Sequence, residues 1–251
     1  MEFSSVLLNL LLGATLGTLG GLFGIGGGLI AIPVLGVLYG LDQQLAQGTA
    51  LIMVVPNVLL ALWRYHQRNP IDLRHALALG VSAFFSAWLA SMLAVQLDAR
   101  LMRLGFVGFL IALAIFYFWR LFRPLPAVGQ QMRCAWPWLL PLGAASGLLG
   151  GLFAVGGAVL ATPSLTAFFG ASQIVAQGLS LALALPATSV TLLTYAAHGE
   201  VDWSVGIPLA IGGLASISWG VKLAHALPER QLRLLFCGFL LLCAGLLAAQ
   251  T

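Results

Sequence analysis

Residues 20–35 read GGLFGIGGGLIAIPVL, and residues 150–165 read GGLFAVGGAVLATPSL. Nine of the sixteen paired positions are identical at a shift of 130 residues. The shift holds without a gap beyond the motif. Ala46-Gln47-Gly48 recurs as Ala176-Gln177-Gly178, Pro56 as Pro186, Tyr65 as Tyr195 and Asp72 as Asp202; Arg100, Arg103 and Phe106 recur as Arg230, Arg233 and Phe236. A constant period of this kind marks two homologous halves. They run over 1–120 and 138–251, with a polar, proline-containing linker at 121–137.

Composition decides the solvent. Hydrophobic residues make up 61% of the 251 and charged residues 7%, against roughly 25% charged in a soluble domain. A soluble enzyme, a nucleic-acid binder and a disordered chain are excluded. The net charge of +4 comes from short basic clusters between apolar runs, the pattern of cytoplasmic loops rather than of a phosphate-binding stripe. Cys134, Cys237 and Cys243 lack metal-ligand spacing, and the last two read as small hydrophobes in an apolar segment. Met1-Glu2-Phe3 lacks the basic start of a cleavable signal, so it is read as the start of the mature protein.

Each half holds five apolar segments: about 6–23, 29–41, 46–63, 75–95 and 104–119, then 138–153, 159–169, 174–196, 204–227 and 232–249. A spanning helix needs about 20 residues to cross roughly 30 Å of hydrocarbon. The third, fourth and fifth segments of each half qualify as spans, and the second segments, at 13 and 11 residues, are too short to cross comfortably. Between first and second segments lies only Gly24–Gly28, or Ala154–Ala158. Three readings are open: two full spans with a tight turn, one interrupted helix, or a re-entrant hairpin. The first and third make the halves inverted, the second parallel.

Loop charge favours inversion. Arg64, Arg68 and Arg74 follow the third segment of the first half, whereas the equivalent loop carries Glu200 and Asp202 and no Lys or Arg. Lys and Arg mark the cytoplasmic side. Arg120, Arg123 and Arg133 place the linker there too, and both termini fall outside. Arg100 and Arg103, outside in the same topology, run against the rule. The expected fold is an all-α polytopic membrane protein with two inverted repeats. Each repeat is a glycine-broken helical hairpin plus three spanning helices.

Small residues every four positions, as at Gly13, Gly17 and Gly21 or Gly20, Gly24 and Gly28, let helices pack closely. Packing explains less well why glycines end sharply, precede Pro33 and Pro163, and recur. Backbone freed by consecutive glycines is tolerated in a membrane only when buried or lining a cavity. Broken helices near the midplane of inverted repeats are where many secondary transporters bind substrate. A helix starting after Gly26, Gly27 and Gly28, or after Gly156 and Gly157, presents unpaired N–H groups and favours an anion. No Asp or Glu lies mid-span to hold an organic cation. Lys222, near the end of its helix, reads as a snorkelling side chain.

The duplicated Gly-Gly-Leu-Phe-Gly-Ile-Gly-Gly-Gly-Leu-Ile-Ala-Ile-Pro run, with the Ala-Gln-Gly element after each copy, resembles the sulfite exporter TauE/SafE family across nearly the whole chain. The resemblance implies a multi-pass transporter of the bacterial inner membrane that moves sulfite, sulfoacetate or related organosulfonates. The second half departs from the fuller motif, with Ala154 and Ala158 where the first has Gly24 and Gly28.

Further candidates follow from chemistry. Gln47 and Gln177 start the third segments, where a neutral amide donates to an oxyanion or caps the interface. Pro56 and Pro186 interrupt helices and free a carbonyl one turn earlier; Asn57, Thr188 and Ser189 beside them either satisfy that carbonyl or contact substrate. Tyr65, Tyr195 and the tryptophans at 63, 119, 136, 138 and 203 read as interface anchors. His66, His75, His198 and His225 lack ligand spacing, so neither metal nor cofactor is expected. With no phosphate-loop motif, energy comes from a coupling ion, proton or sodium, or from a separate ATPase chain. The partners expected are a small anion, the lipid bilayer and that coupling ion, with no nucleic acid; a homo-oligomer is compatible with this reading. The rival reading is a non-transporting binding or assembly subunit in which the glycines serve packing alone.

Overall fold

The computed structural model describes residues 3–23, 26–121, 136–226 and 229–248. Ten α-helices follow in order: α1 (Phe3–Phe23), α2 (Gly28–Tyr39), α3 (Gln43–Arg68), α4 (Leu73–Ala94), α5 (Ala99–Leu121), α6 (Leu139–Phe153), α7 (Ala158–Phe168), α8 (Gln173–Ala197), α9 (Trp203–Ala226) and α10 (Glu229–Ala248). A single 3-10 turn, Trp136–Trp138, leads into α6. There is no strand among the described residues. The expected all-α fold, with ten helices at the ten apolar segments, is what forms. Most of the linker, including Cys134, lies outside the described residues.

The acids at segment ends start the helices. Asp42 accepts from the Leu45 amide at 2.9 Å, Asp98 from that of Arg100 at 2.9 Å, and Asp202 from that of Ser204 at 2.9 Å. Asp72 accepts from the Arg74 amide at 3.0 Å. Each carboxylate thereby satisfies one orphan donor of a helix N-terminus, of α3, α5, α9 and α4 in turn. Ser172 does the same for α8 through the Val175 amide at 3.4 Å.

Six helices among the described residues are long and apolar enough to cross a membrane: α1, α3, α4, α5, α8 and α9. α10 has 20 residues, with Glu229, Arg230 and Arg233 at its start and the apolar stretch Leu234–Ala248 after them. Large apolar side chains face outward, among them Phe85, Leu89 and Leu93 on α4 and Ile115 and Phe118 on α5. In water such a surface aggregates; against lipid it is solvated.

The helices form two compact units, and neither unit coincides with a sequence half. The first holds 1–53, 96–124 and 200–251, and the second 54–95 and 125–199. The division falls inside α3, just ahead of Pro56. In the first unit α1 lies against α9. A Cβ on Gly13 would fall 2.2 Å from the Leu209 carbonyl oxygen, on Gly17 2.5 Å from that of Gly213, and on Gly21 2.4 Å from that of Ile217. α5 meets α10 through Tyr117 and Phe236, whose rings stand 5.0 Å apart, and the buried Cys237 thiol lies 3.8 Å from the Ala114 carbonyl. In the second unit Gly143, Gly147 and Gly151 of α6 meet Leu79, Ala83 and Ala87 of α4 in the same manner. α7 and α8 complete its core with Ala161, Leu165, Leu183 and Ala187. Lipid is as apolar as these side chains, so close van der Waals approach, not water exclusion, holds the pairs together. The stripe at 13, 17 and 21 is therefore a packing device.

Candidate functional site

The remaining motif glycines make turns. Gly26 and Gly27 have φ of 70° and 91°, and Gly156 and Gly157 have 73° and 72°, left-handed values that L-side chains avoid. The chain reverses there. Gly27 lies against Gly20 and the Leu16 carbonyl, while Tyr39 at the far end of α2 donates its hydroxyl to Asn9 near the start of α1. α2 thus runs back along α1, and of the three readings the single interrupted helix is ruled out for this hairpin. In the second unit Gly157 lies against Gly150 and Ser146 in the same register. Ala154 closes α6 with φ 58°, where the first half has Gly24.

α2 and α7 begin at these tips and are short, 12 and 11 residues or about 18 and 16 Å. Their N-caps, Gly27 and Gly157, offer no side chain to the first turn. Both starts are buried, including Gly28, Leu29 and Ile30 in one and Ala158 and Val159 in the other. Each tip therefore presents a helix N-terminus with its positive dipole end inside the protein. α2 and α7 run on through Pro33 and Pro163, as α3 and α8 run on through Pro56 and Pro186.

The other candidates sort by position. Gly156 meets the Thr188 methyl, 2.7 Å from where a Cβ would sit, so α8 brings Thr188 to the second tip. The Thr188 and Ser189 hydroxyls both donate at 2.8 Å, to the carbonyls of Ala184 and Leu185. They do not reach the Ala182 carbonyl that Pro186 frees, which instead faces Gly80 of α4. At the first tip the Met53 methyl stands against Gly27. Gln47 and Asn57 are both wholly buried on α3, ten residues or about 15 Å apart along it.

Gln177 lies eleven residues, about 16 Å, up α8 from Thr188. Its Oε1 accepts from the Tyr65 hydroxyl at 2.7 Å. An open cavity of about 440 Å³ adjoins it, with Tyr65, Asn69, Asp72, His75 and Gly178 in its walls. His75 Nδ1 is 2.5 Å from Asp72 Oδ2, while the other Asp72 oxygen caps α4. The Arg74 amide, and secondarily His75, hold the Asp72 carboxyl below the usual carboxylate range, against a smaller opposing push from burial.

Two corrections concern the anchors. Tyr195 is wholly buried and is no interface anchor, since its large apolar ring fills a helix core. Tyr65 is half-buried and bonded to Gln177. Trp63, Trp119, Trp138 and Trp203 are exposed as expected, and the side chain of Trp136 lies outside the described ones. Lys222 is exposed, 5.7 Å above the Trp219 ring. Ser146, which carries no repeat signature because its counterpart is Leu16, stands at the second tip and was not singled out from sequence.

Duplicated halves, six apolar spans and buried, glycine-turned hairpins describe a multi-pass membrane protein, and its relatives give the class: it is a membrane transporter. The chain belongs to the sulfite exporter TauE/SafE family, whose model matches residues 9–247. It is 26% identical over 260 residues to a "Probable membrane transporter protein" of Methanocaldococcus jannaschii, covering 96% of this chain and 95% of that one. A protein of the same description from Xylella fastidiosa strain 9a5c is 26% identical, with 89% and 87% covered. The Bacillus subtilis relative YdhB is 25% identical, with 87% and 90% covered. No solved structure matches the chain. The family and the spans make this a multi-pass protein of the cell membrane, which in bacteria is the inner membrane.

Proposed function

We propose that the chain is a secondary transporter that carries a small sulfur-containing oxyanion, sulfite or an organosulfonate, without converting it chemically. The observation that carries this reading is the pair of buried, uncapped helix starts behind Gly27 and Gly157. Such termini hold an anion with no fixed positive charge. A cation is poorly served, because Asp42, Asp72, Asp98 and Asp202 are all engaged as caps at helix ends. The family description supplies the sulfur chemistry.

In this reading Gly26, Gly27 and Gly28 supply the backbone of the first tip, and Gly156 and Gly157 that of the second. Gln47, Asn57, Gln177, Thr188 and Ser189 offer polar groups to the anion along α3 and α8, and Pro33, Pro56, Pro163 and Pro186 shape the helices. Thr188 and Ser189 act only by turning their protons away from their own helix. The halves at 1–120 and 138–251 are inverted, a reading supported by the returning α2 and by the arginines after α3. A proton or sodium gradient drives the cycle.

The test is flux. Purified protein in liposomes loaded with radiolabelled sulfite or sulfoacetate is expected to give saturable efflux that protein-free vesicles lack. Folded protein with no saturable flux of either anion, under imposed proton and sodium gradients, returns the chain to the assembly-subunit reading.

A further inference from the structure

Ser146 and Leu16 occupy the same position of the two halves, and they make the hairpin tips chemically unequal. Ser146 is wholly buried on α6, and its Oγ has no hydrogen-bond partner. A helical serine ordinarily returns its proton to the carbonyl four residues back, as Ser82, Ser86 and Ser164 do here at 2.8–2.9 Å. Ser146 does not. Its Cβ lies 3.2 Å from where a Cβ on Gly157 would sit, which sets the side chain against the start of α7. The amides of Gly157 and Ala158 also find no acceptor among the described residues, the first backbone bonds of α7 being those of Leu160 and Ala161 to the Gly157 carbonyl.

Buried donors are nearly always paired, so each exception calls for a partner of its own. Three donors without a partner in one place, with no fixed charge beside them, share one ligand chemistry: an oxyanion. The first tip differs. There Leu16 replaces the serine and the Met53 methyl stands 2.9 Å from the Cβ position of Gly27, so the same backbone is faced by apolar side chains.

We propose, resting on the transport reading above, that Ser146 is the donor that selects the oxygens of the anion at the α7 tip, a donor that the α2 tip, with Leu16 in its place, lacks. A small oxyanion is the class this set fits.

Ser146→Ala and Leu16→Ala separate the possibilities. Sulfite and sulfoacetate are titrated into each detergent-solubilised variant, with melting temperature followed in parallel. Ser146→Ala is expected to melt no lower than wild type without anion, because the lost hydroxyl has no protein partner. It is expected to bind both anions about tenfold to a hundredfold more weakly and to lose most of the anion-induced rise in melting temperature. Leu16→Ala is expected to change affinity by no more than about twofold. Equal affinity in Ser146→Ala and wild type, an anion-free Ser146→Ala that melts lower or fails to fold, or equal losses in both variants overturns the assignment. Wild-type protein that binds neither anion overturns the transport reading, and this assignment with it.

Discussion

The Tyr65 hydroxyl donates to Oε1 of Gln177 across 2.7 Å, tying the end of α3 to the first turns of α8 within the second unit. The bond fixes the amide, so its N–H₂ group presents in one direction to whatever lies beside it. Removing the hydroxyl in Tyr65→Phe loses a net of about 0.5–1.5 kcal/mol of stability. If the amide serves the anion, transport KM rises about threefold to tenfold with kcat unchanged. An unchanged KM beside a lowered melting temperature makes the bond structural.

A charge introduced at the same place has a pH signature. Gln177→Glu keeps the volume and replaces a donor by a negative acceptor, so it is expected to harm anion affinity more than Gln177→Ala. Affinity recovers as pH falls and the carboxyl protonates. The same pair at Gln47 is expected to rank in the same order. Affinity against pH for all four variants checks this; wild-type binding by the Glu variants at neutral pH removes the glutamines from the site.

The two tip glycines differ in what surrounds them. A Cβ on Gly157 meets the Ser146 carbonyl oxygen at 2.3 Å, fixed backbone, whereas one on Gly27 meets the flexible Met53 methyl at 2.9 Å. Both also carry about 1–2 kcal/mol for a left-handed L-residue. Gly157→Ala is therefore expected to lower the melting temperature more than Gly27→Ala. Ala154→Gly, which restores the residue of the first half at φ 58°, is expected to raise it slightly.

The packing stripe predicts a sharper contrast. Gly147→Leu drives a side chain into the Ala83 carbonyl, 2.5 Å from its Cβ position, and parts α6 from α4. Gly108, with nothing within 4 Å of its Cβ position, is the control. Loss of more than about 3 kcal/mol is expected for the first and less than about 1 kcal/mol for Gly108→Leu. Equal melting of the two variants sinks the assignment of the stripe to packing.

Asp72 gives a local pH dependence outside the spans. Its folded-state carboxyl titrates below its unfolded value, so it stabilises the start of α4 above about pH 4 and that stability is lost as pH falls through the folded value. Faster amide exchange is expected at Arg74 below about pH 4. Asp72→Asn, which keeps a capping oxygen, should abolish the pH dependence with little loss, and Asp72→Ala should open the turn at all pH values.

Topology is testable with single cysteines. Arg68→Cys and His198→Cys, at the ends of α3 and α8, are expected to react with an impermeant thiol reagent from opposite faces of intact cells. Labelling from one face sets aside inversion of the halves.

The 130-residue period and the 61% apolar composition determined the class of fold: ten apolar segments, two halves, a membrane solvent. They did so because periodicity and hydropathy are properties of segments, readable without neighbours. The glycine run marked a break in the helix for the same reason, since Gly26 and Gly27 adopt a backbone that only glycine takes readily, while the reversal itself came from the contacts of α2 with α1. Which glycines turn and which pack was settled by tertiary structure: Gly13, Gly17 and Gly21 face α9, a helix nearly two hundred residues on in the chain. Partner choice in space also split each sequence half between two compact units, buried Tyr195, and tied Tyr65 to Gln177. Ser146 shows the limit most plainly. A serine in an apolar helix reads as an ordinary back-bonded hydroxyl, and only the fold, by setting it against Gly157 and leaving its proton unpaired, distinguishes it from its neighbours.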